Sequence, residues 1–268
     1  MMSSEMLQMM KNKLNQQKVT ALVTITFHPE PSYLGKMLLV CEDGSSYYEQ
    51  SEMEFFEISI KEWCQHLIQK RKSKTITIQI NNLDVEFFVE VVPPPPHLII
   101  AGAGHVGKAL VQMSSMLGYY ITIVDDRPEF ARQDILPLAN EVICESYIEF
   151  FQKCTITANT WIVLLTRGHQ FDVFSLQELL KRTETPAYIG MIGSRRRIAG
   201  VFEELREEFP DNIFDHIYTP VGLDLGAETP SEIAVSILAE MLMVKNNKSG
   251  HSLSTQIRRL AKLGFRGG

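Results

Sequence analysis

Residues 97–126, HLIIAGAGHVGKALVQMSSMLGYYITIVDD, constrain the fold of this chain more than any other stretch. An apolar run leads into Gly102, Gly104 and Gly107, spaced G-x-G-x-x-G, then a helical pattern with Leu110, Met113 and Leu117 on one face, then a second apolar strand ending at Asp125. The first glycine allows a tight turn, the second lets a pyrophosphate approach the backbone, and the third lets helix and strand pack closely. The helix start offers unpaired N–H groups and a partial positive charge to phosphates. Asp125 is placed to accept a ribose hydroxyl, while Asp126 and Arg127 beside it leave NAD and NADP unseparated. A Rossmann-like fold that makes no use of a dinucleotide is the alternative. His105 sits in the first helical turn, where the dipole disfavours its charged form. It reads as a phosphate-adjacent or solvent-facing imidazole rather than a catalytic group.

From His97 onward, strands are expected at 98–101, 119–125, 141–144, 160–166, 186–192 and 216–219, with helices between several of them. Such alternation predicts an α/β unit with a parallel, doubly wound sheet. Four prolines at 93–96 separate it from a smaller α+β domain over 1–92. There VTALVTITF and GKMLLV read as strands, and Phe56, Ile60, Trp63 and Leu67 mark a helix. Ile76–Ile80 and Val85–Val91 form a hairpin, turning at Asn81 and Asn82 because asparagine tolerates left-handed backbone. The C-terminal domain is expected over 97–246, followed by a solvated basic tail over 247–268.

With 268 residues, 45% hydrophobic, and a net charge of -6, the chain has an ordinary soluble composition, and its acidic balance argues against a nucleic-acid binder. No apolar run reaches the roughly eighteen residues of a membrane span. The N-terminal residues lack a secretory pattern, so a cytoplasmic protein is expected. Cys41, Cys64, Cys144 and Cys154 have no metal-ligand spacing and read as buried free thiols in a reducing compartment.

In an open α/β sheet, ligands gather outside the carboxyl ends of the strands. Three further loops belong there. TRGHQFD brings Arg167, His169 and Asp172. GSRRR brings Gly193, Ser194 as an N-cap, and Arg195, Arg196 and Arg197, whose charges oppose the helix dipole and suit an anion such as phosphate. VGLDLGAETPSE carries Asp224, Gly226 and Glu228 just before a capping box of Thr229 and Glu232, with Ile233, Ile237 and Met241 as a core stripe beyond.

LIIAGAGHVGKAL, ITIVDDRPEFA, YIGMIGSRRR and VGLDLGAETPSEIAVSILAE together resemble the XdhC/CoxI family over most of 97–245. The resemblance implies an accessory protein for xanthine dehydrogenase and related molybdenum hydroxylases. Such a protein binds molybdenum cofactor, protects it while its terminal sulfur is installed, and hands it to the apo-enzyme. It further implies a cysteine desulfurase as a second partner, a homodimer, and no assigned catalytic residue. Carried over by motif, the glycine turn, Asp125, Asp126, Arg127, Gly193, Ser194, Arg195, Asp224, Gly226 and Glu228 are the residues to test. The family's glycine-rich stretch ending in Cys-Val-Glu is missing: EDGSSYYEQSEMEF stands there instead, which leaves either Cys41 or Cys64 as a spatial substitute or a diverged homologue with altered cofactor handling. The residues alone also allow an NAD(P)-dependent oxidoreductase or a non-catalytic NAD(P) sensor. His28 and His66, the histidines of the small domain, read as surface groups rather than general acids.

Overall fold

The computed structural model describes residues 2–209 and 211–254. The chain divides into two compact units between Pro95 and Pro96. Of the basic tail, residues 255–268 lie outside the described residues.

The first unit runs α1 (Ser4–Asn15), β1 (Thr20–Phe27), β2 (Met37–Cys41), β3 (Ser46–Tyr47), α2 (Met53–Lys70), β4 (Lys74–Ile80) and β5 (Leu83–Val92). Its five strands pair antiparallel in the order β3-β2-β1-β5-β4. Asn81 and Asn82 both take positive φ (50° and 63°), the backbone of a two-residue hairpin whose twist matches its strands. α2 covers one face with Phe56, Ile60, Cys64 and Leu67 set against Val23, Val40, Phe87 and Val89. Trp63, expected in that stripe, is 45% exposed, and Cys64 takes the inward place. One residue turns a helix by about 100°, so both satisfied the sequence spacing and only the facing sheet selects between them. Part of the opposite face of the sheet is covered as well. α1, which the hydrophobic pattern does not announce, is capped by Ser3 and lays Met6 on Leu39 and Cys41 of the opposite side.

The second unit runs β6 (His97–Ala101), α3 (His105–Met116), β7 (Tyr120–Asp125), β8 (Glu141–Cys144), α4 (Tyr147–Lys153), β9 (Thr160–Leu164), α5 (His169–Leu180), β10 (Tyr188–Met191), α6 (Arg195–Arg206), β11 (Ile217–Tyr218) and α7 (Pro230–Lys245). All six strands are parallel, in the order β11-β10-β9-β6-β7-β8. This is the doubly wound dinucleotide-fold arrangement. β6 reads as an unbroken apolar run because both of its faces are covered. Leu98 and Ile100 meet α3 and α7, while Ile99 and Ala101 belong to the core formed with α4, α5 and α6. Leu117, expected on the buried face of α3, follows the end of that helix and is 44% exposed; Leu110 is buried as expected, and Val111 is buried beside it. Among the described residues no helix is long and apolar enough to cross a membrane.

Candidate functional site

From β6 the chain crosses to β7 on one side and returns to β9 on the other, so a crevice opens at the carboxyl ends of β6 and β9. A cleft of about 500 Å³ lies there. Its walls are Gly104, His105 and Gly107 of the glycine turn, Thr166 after β9, Gly193 and Ser194 after β10, and Arg197.

The three glycines stand in that turn for three different reasons. At Gly102, φ is +122° and an added Cβ would lie 2.4 Å from the carbonyl oxygen of Leu165. At Gly107, a Cβ would come within 2.0 Å of the carbonyl oxygen of Gly102, so this glycine lets α3 seat against its own turn. At Gly104 a Cβ would meet nothing within 4 Å: the space there is open to a ligand. Gly104 is also the N-cap of α3 and supplies no side-chain hydrogen bond, leaving the first-turn N–H groups to an outside acceptor. α6 and α7 differ, since Ser194 and Thr229 cap them with their own hydroxyls. His105 is exposed at the lip of the cleft.

Asp125 does not face the cleft. Its side chain has no exposed surface. Oδ1 accepts from Nε of Arg127 (2.8 Å) and from the Arg127 N–H (3.1 Å). Oδ2 accepts from Nη2 of Arg127 (2.8 Å) and from the Ala103 N–H (2.8 Å). A carboxylate offers about four acceptor positions, so the chain's own donors take them all, and no acceptor is left for a ribose hydroxyl in this arrangement. Burial pushes the Asp125 carboxyl up, but the Arg127 guanidinium and the two N–H donors outweigh it and hold it below the usual carboxylate range. Because the native value is the lower one, the unfolded chain takes up the proton first. Asp125 therefore contributes its stability above about pH 4, and that contribution drains away as pH falls below it. Asp125→Asn is expected to be less stable than wild type in urea at pH 7, with the gap narrowing at pH 3; an unchanged gap would disprove the assignment.

The loops after β7 and β9 are tied together. Arg167 Nη2 donates to Asp126 Oδ2 at 2.9 Å, and its guanidinium lies over the Phe171 ring, 4.8 Å from the centroid. His169 pairs with Glu204 of α6 rather than facing the cleft. Of the three arginines in the first turn of α6, Arg195 and Arg196 are exposed and do not line the cleft. Arg197 alone reaches it, where Nε donates to Asp172 at 2.7 Å and Nη2 to the Thr166 carbonyl at 3.0 Å. Asp172 is fully buried, and burial pushes its carboxyl up against the pull of Thr166 and Arg197.

Asp224, Gly226 and Glu228 stand exposed in the loop before α7 and do not line the cleft. What holds that loop in place escaped the motif reading. Glu240 of α7, buried, accepts the Tyr188 hydroxyl at 2.5 Å and the Gly222 N–H at 3.2 Å. Ser236 of the same helix bonds both backbone groups of Leu223. The signal was present as a carboxylate inside an apolar helical stripe, which is seldom left unpaired. Among the cysteines, Cys41 and Cys64 are buried, and burial pushes the Cys64 thiol up to about 12. Neither is a ligand-facing thiolate that could replace the missing family cysteine. Cys144, expected buried, is exposed at the end of β8, an edge strand.

The model of the XdhC Rossmann domain matches residues 98–241, the span that carries the glycine turn, the cleft and the α7 loop. The chain belongs to the XdhC family. It is 32% identical over 165 residues to the uncharacterized protein YqeB of Escherichia coli, a match covering 61% of this chain and 30% of that protein. To a Bacillus subtilis protein named as a probable xanthine dehydrogenase subunit, it is 27% identical over 185 residues, covering 68% of this chain and 54% of the relative. The chain thus matches about a third and about half of the lengths of these two relatives. A solved xanthine dehydrogenase from Bacillus halodurans shares the fold, with a TM-score of 0.54 and 20% identity over 91% of this chain and 96% of that one.

Proposed function

We propose that this XdhC-family protein is an accessory factor for a molybdenum hydroxylase such as xanthine dehydrogenase. It binds molybdenum cofactor as cargo in the cleft at the β6–β9 crevice, shelters it while its terminal sulfur is installed, and passes it to the apo-enzyme. A cysteine desulfurase that supplies the sulfur and a second copy of the chain are the further partners of this reading. The B. subtilis relative, named for xanthine dehydrogenase, supports the choice of client.

The observation that carries the reading is the uncapped start of α3 beside open space at Gly104. A helix start of this kind binds phosphate through N–H groups and dipole together, and the pterin of molybdenum cofactor ends in a phosphate. Gly104, His105 and Gly107 hold the phosphate end. Gly193, Ser194 and Arg197 bound the other wall, and the exposed Asp224 and Glu228, in the loop that leads to Pro230 at the cleft, are assigned in this reading to a pterin ring reaching beyond the cleft itself. The protein's own residues bind, orient and exclude water; the redox chemistry of the metal is exercised in the client enzyme.

The decisive experiment is the cofactor content of protein purified without oxygen from cells that make molybdenum cofactor. Near-stoichiometric pterin with molybdenum is expected. Bound NAD(P) without pterin would replace this reading with an NAD(P)-linked oxidoreductase or sensor. Gly104→Asp sharpens the test. Aspartate is a favoured N-cap, so the variant is expected to melt at or slightly above the wild-type temperature. Its carboxylate takes the anion's place, and retained pterin is expected to fall to a small fraction of the wild-type content. Full pterin content in a folded Gly104→Asp would place the phosphate elsewhere.

A further inference from the structure

The glycine turn is built as in a dinucleotide site, yet the Asp125 acceptor at the end of β7 is already taken. Arg127 meets Asp125 with two parallel hydrogen bonds, both 2.8 Å, and the two backbone N–H groups close the remaining acceptor positions. The guanidinium is held from its other side by the Phe130 ring, 3.7 Å from the centroid. Next to it the Arg167–Asp126 pair, with Arg167 over Phe171, bridges the loops after β7 and β9. Two arginines, each ion-paired and each stacked on an aromatic ring, therefore stand where the first ribose of a dinucleotide would seek its acceptor. Arginine suits this work because its planar fork matches a carboxylate and its face packs on a ring. The open cleft, by contrast, is bounded by residues that follow β6, β9 and β10 and by the start of α7, with none from β7 or β8.

We propose that Arg127 is a specificity residue that occupies the ribose half of the fingerprint site. NAD, NADP and other ligands that need a ribose diol over β7 are refused, and the cleft takes a phosphate ester held on its β9 and β10 side. The identity of that ester as a pterin rests on the reading above; the exclusion of dinucleotides does not.

The test is titration of NADH fluorescence with the full-length wild type, Arg127→Ala, and the double variant Asp125→Ala/Arg127→Ala, each checked for folding by circular dichroism. The wild type is expected to remain far from saturated at about 1 mM NADH. Arg127→Ala frees the Asp125 carboxylate and is expected to bind at least about tenfold more tightly, and the double variant to lose that gain. Micromolar binding of NADH by the wild type would overturn the proposal, as would a folded Arg127→Ala with no gain. The pterin content of the same wild-type preparation separates the two readings. Refusal of NADH without bound pterin leaves the exclusion standing and removes the carrier. Bound pterin together with tight NADH binding removes the exclusion and keeps the carrier.

Discussion

Gly107→Ala is expected to cost the second unit roughly 4 kcal/mol, at the severe end of single substitutions. The reason is geometric. The added methyl would lie 2.0 Å from the Gly102 carbonyl oxygen and 3.1 Å from its carbon, both backbone atoms that no rotamer change can move. To relieve the contact, α3 must lift off the turn, and with it Leu110 and Val111 from a core they fill completely. Whole-domain stabilities are about 5–15 kcal/mol, so a substantial unfolded fraction should appear in mild urea. Urea unfolding followed by near-ultraviolet circular dichroism reads this directly. A midpoint within the error of wild type would mean that α3 is seated differently. Gly104→Asp, three residues away, is expected to leave the same curve unmoved or shift it slightly upward, which separates the packing glycine from the ligand-facing one.

The second large effect is expected at Asp172→Ala, at about 3 kcal/mol, because removing one partner of a buried ion pair leaves the other charge uncompensated. Asp172 has no exposed surface, and it bonds Arg197 and the Thr166 hydroxyl together. Arg197 remains about a quarter exposed, with a side-chain exposure of 24%, so water softens the loss and keeps it at the low end of the buried-pair range. The double variant Asp172→Ala/Arg197→Met is expected to recover a good part of the stability, since the stranded cation is gone. Equal instability of the single and double variants would show that Asp172 acts through packing alone. In the single variant Arg197 is also released toward the cleft it lines, so pterin retention should change beyond what the stability loss explains.

Much of the second unit was legible from residue order. Apolar runs at β6, β7 and β9 need cover on both faces, and glycines at Gly102 and Gly107 have few uses other than a strand–turn–helix crossing. The capping hydroxyls of Ser194 and Thr229 were legible as well, because an N-cap is a local hydrogen bond between residues three apart. The side chains of the site were less so. Asp125 has the position of a ribose acceptor, but nothing in residue order says that Arg127, two residues on, turns back onto it rather than outward. The clustered arginines of α6 look alike in sequence, yet one of the three meets a buried carboxylate from α5 and two stand exposed. Trp63 and Cys64 competed for one inward position, and the packing of β1, β2 and β5 decided it.

The sequence by itself determined the parallel six-stranded sheet, the separate antiparallel domain before the prolines, the glycine crossing at the ligand edge, and membership in the XdhC family. The first three follow from hydrophobic period, backbone freedom and local capping, which act largely between near neighbours in the chain; the fourth follows from the likeness of whole motifs to the family. Only the tertiary structure decided which half of the crevice stays open. That choice rests on Arg127 against Asp125, Arg167 against Asp126, and Arg197 against Asp172. A charged side chain settles wherever its desolvation is best repaid by a partner, and for two of these three pairs the partner arrives from a distant loop or another helix.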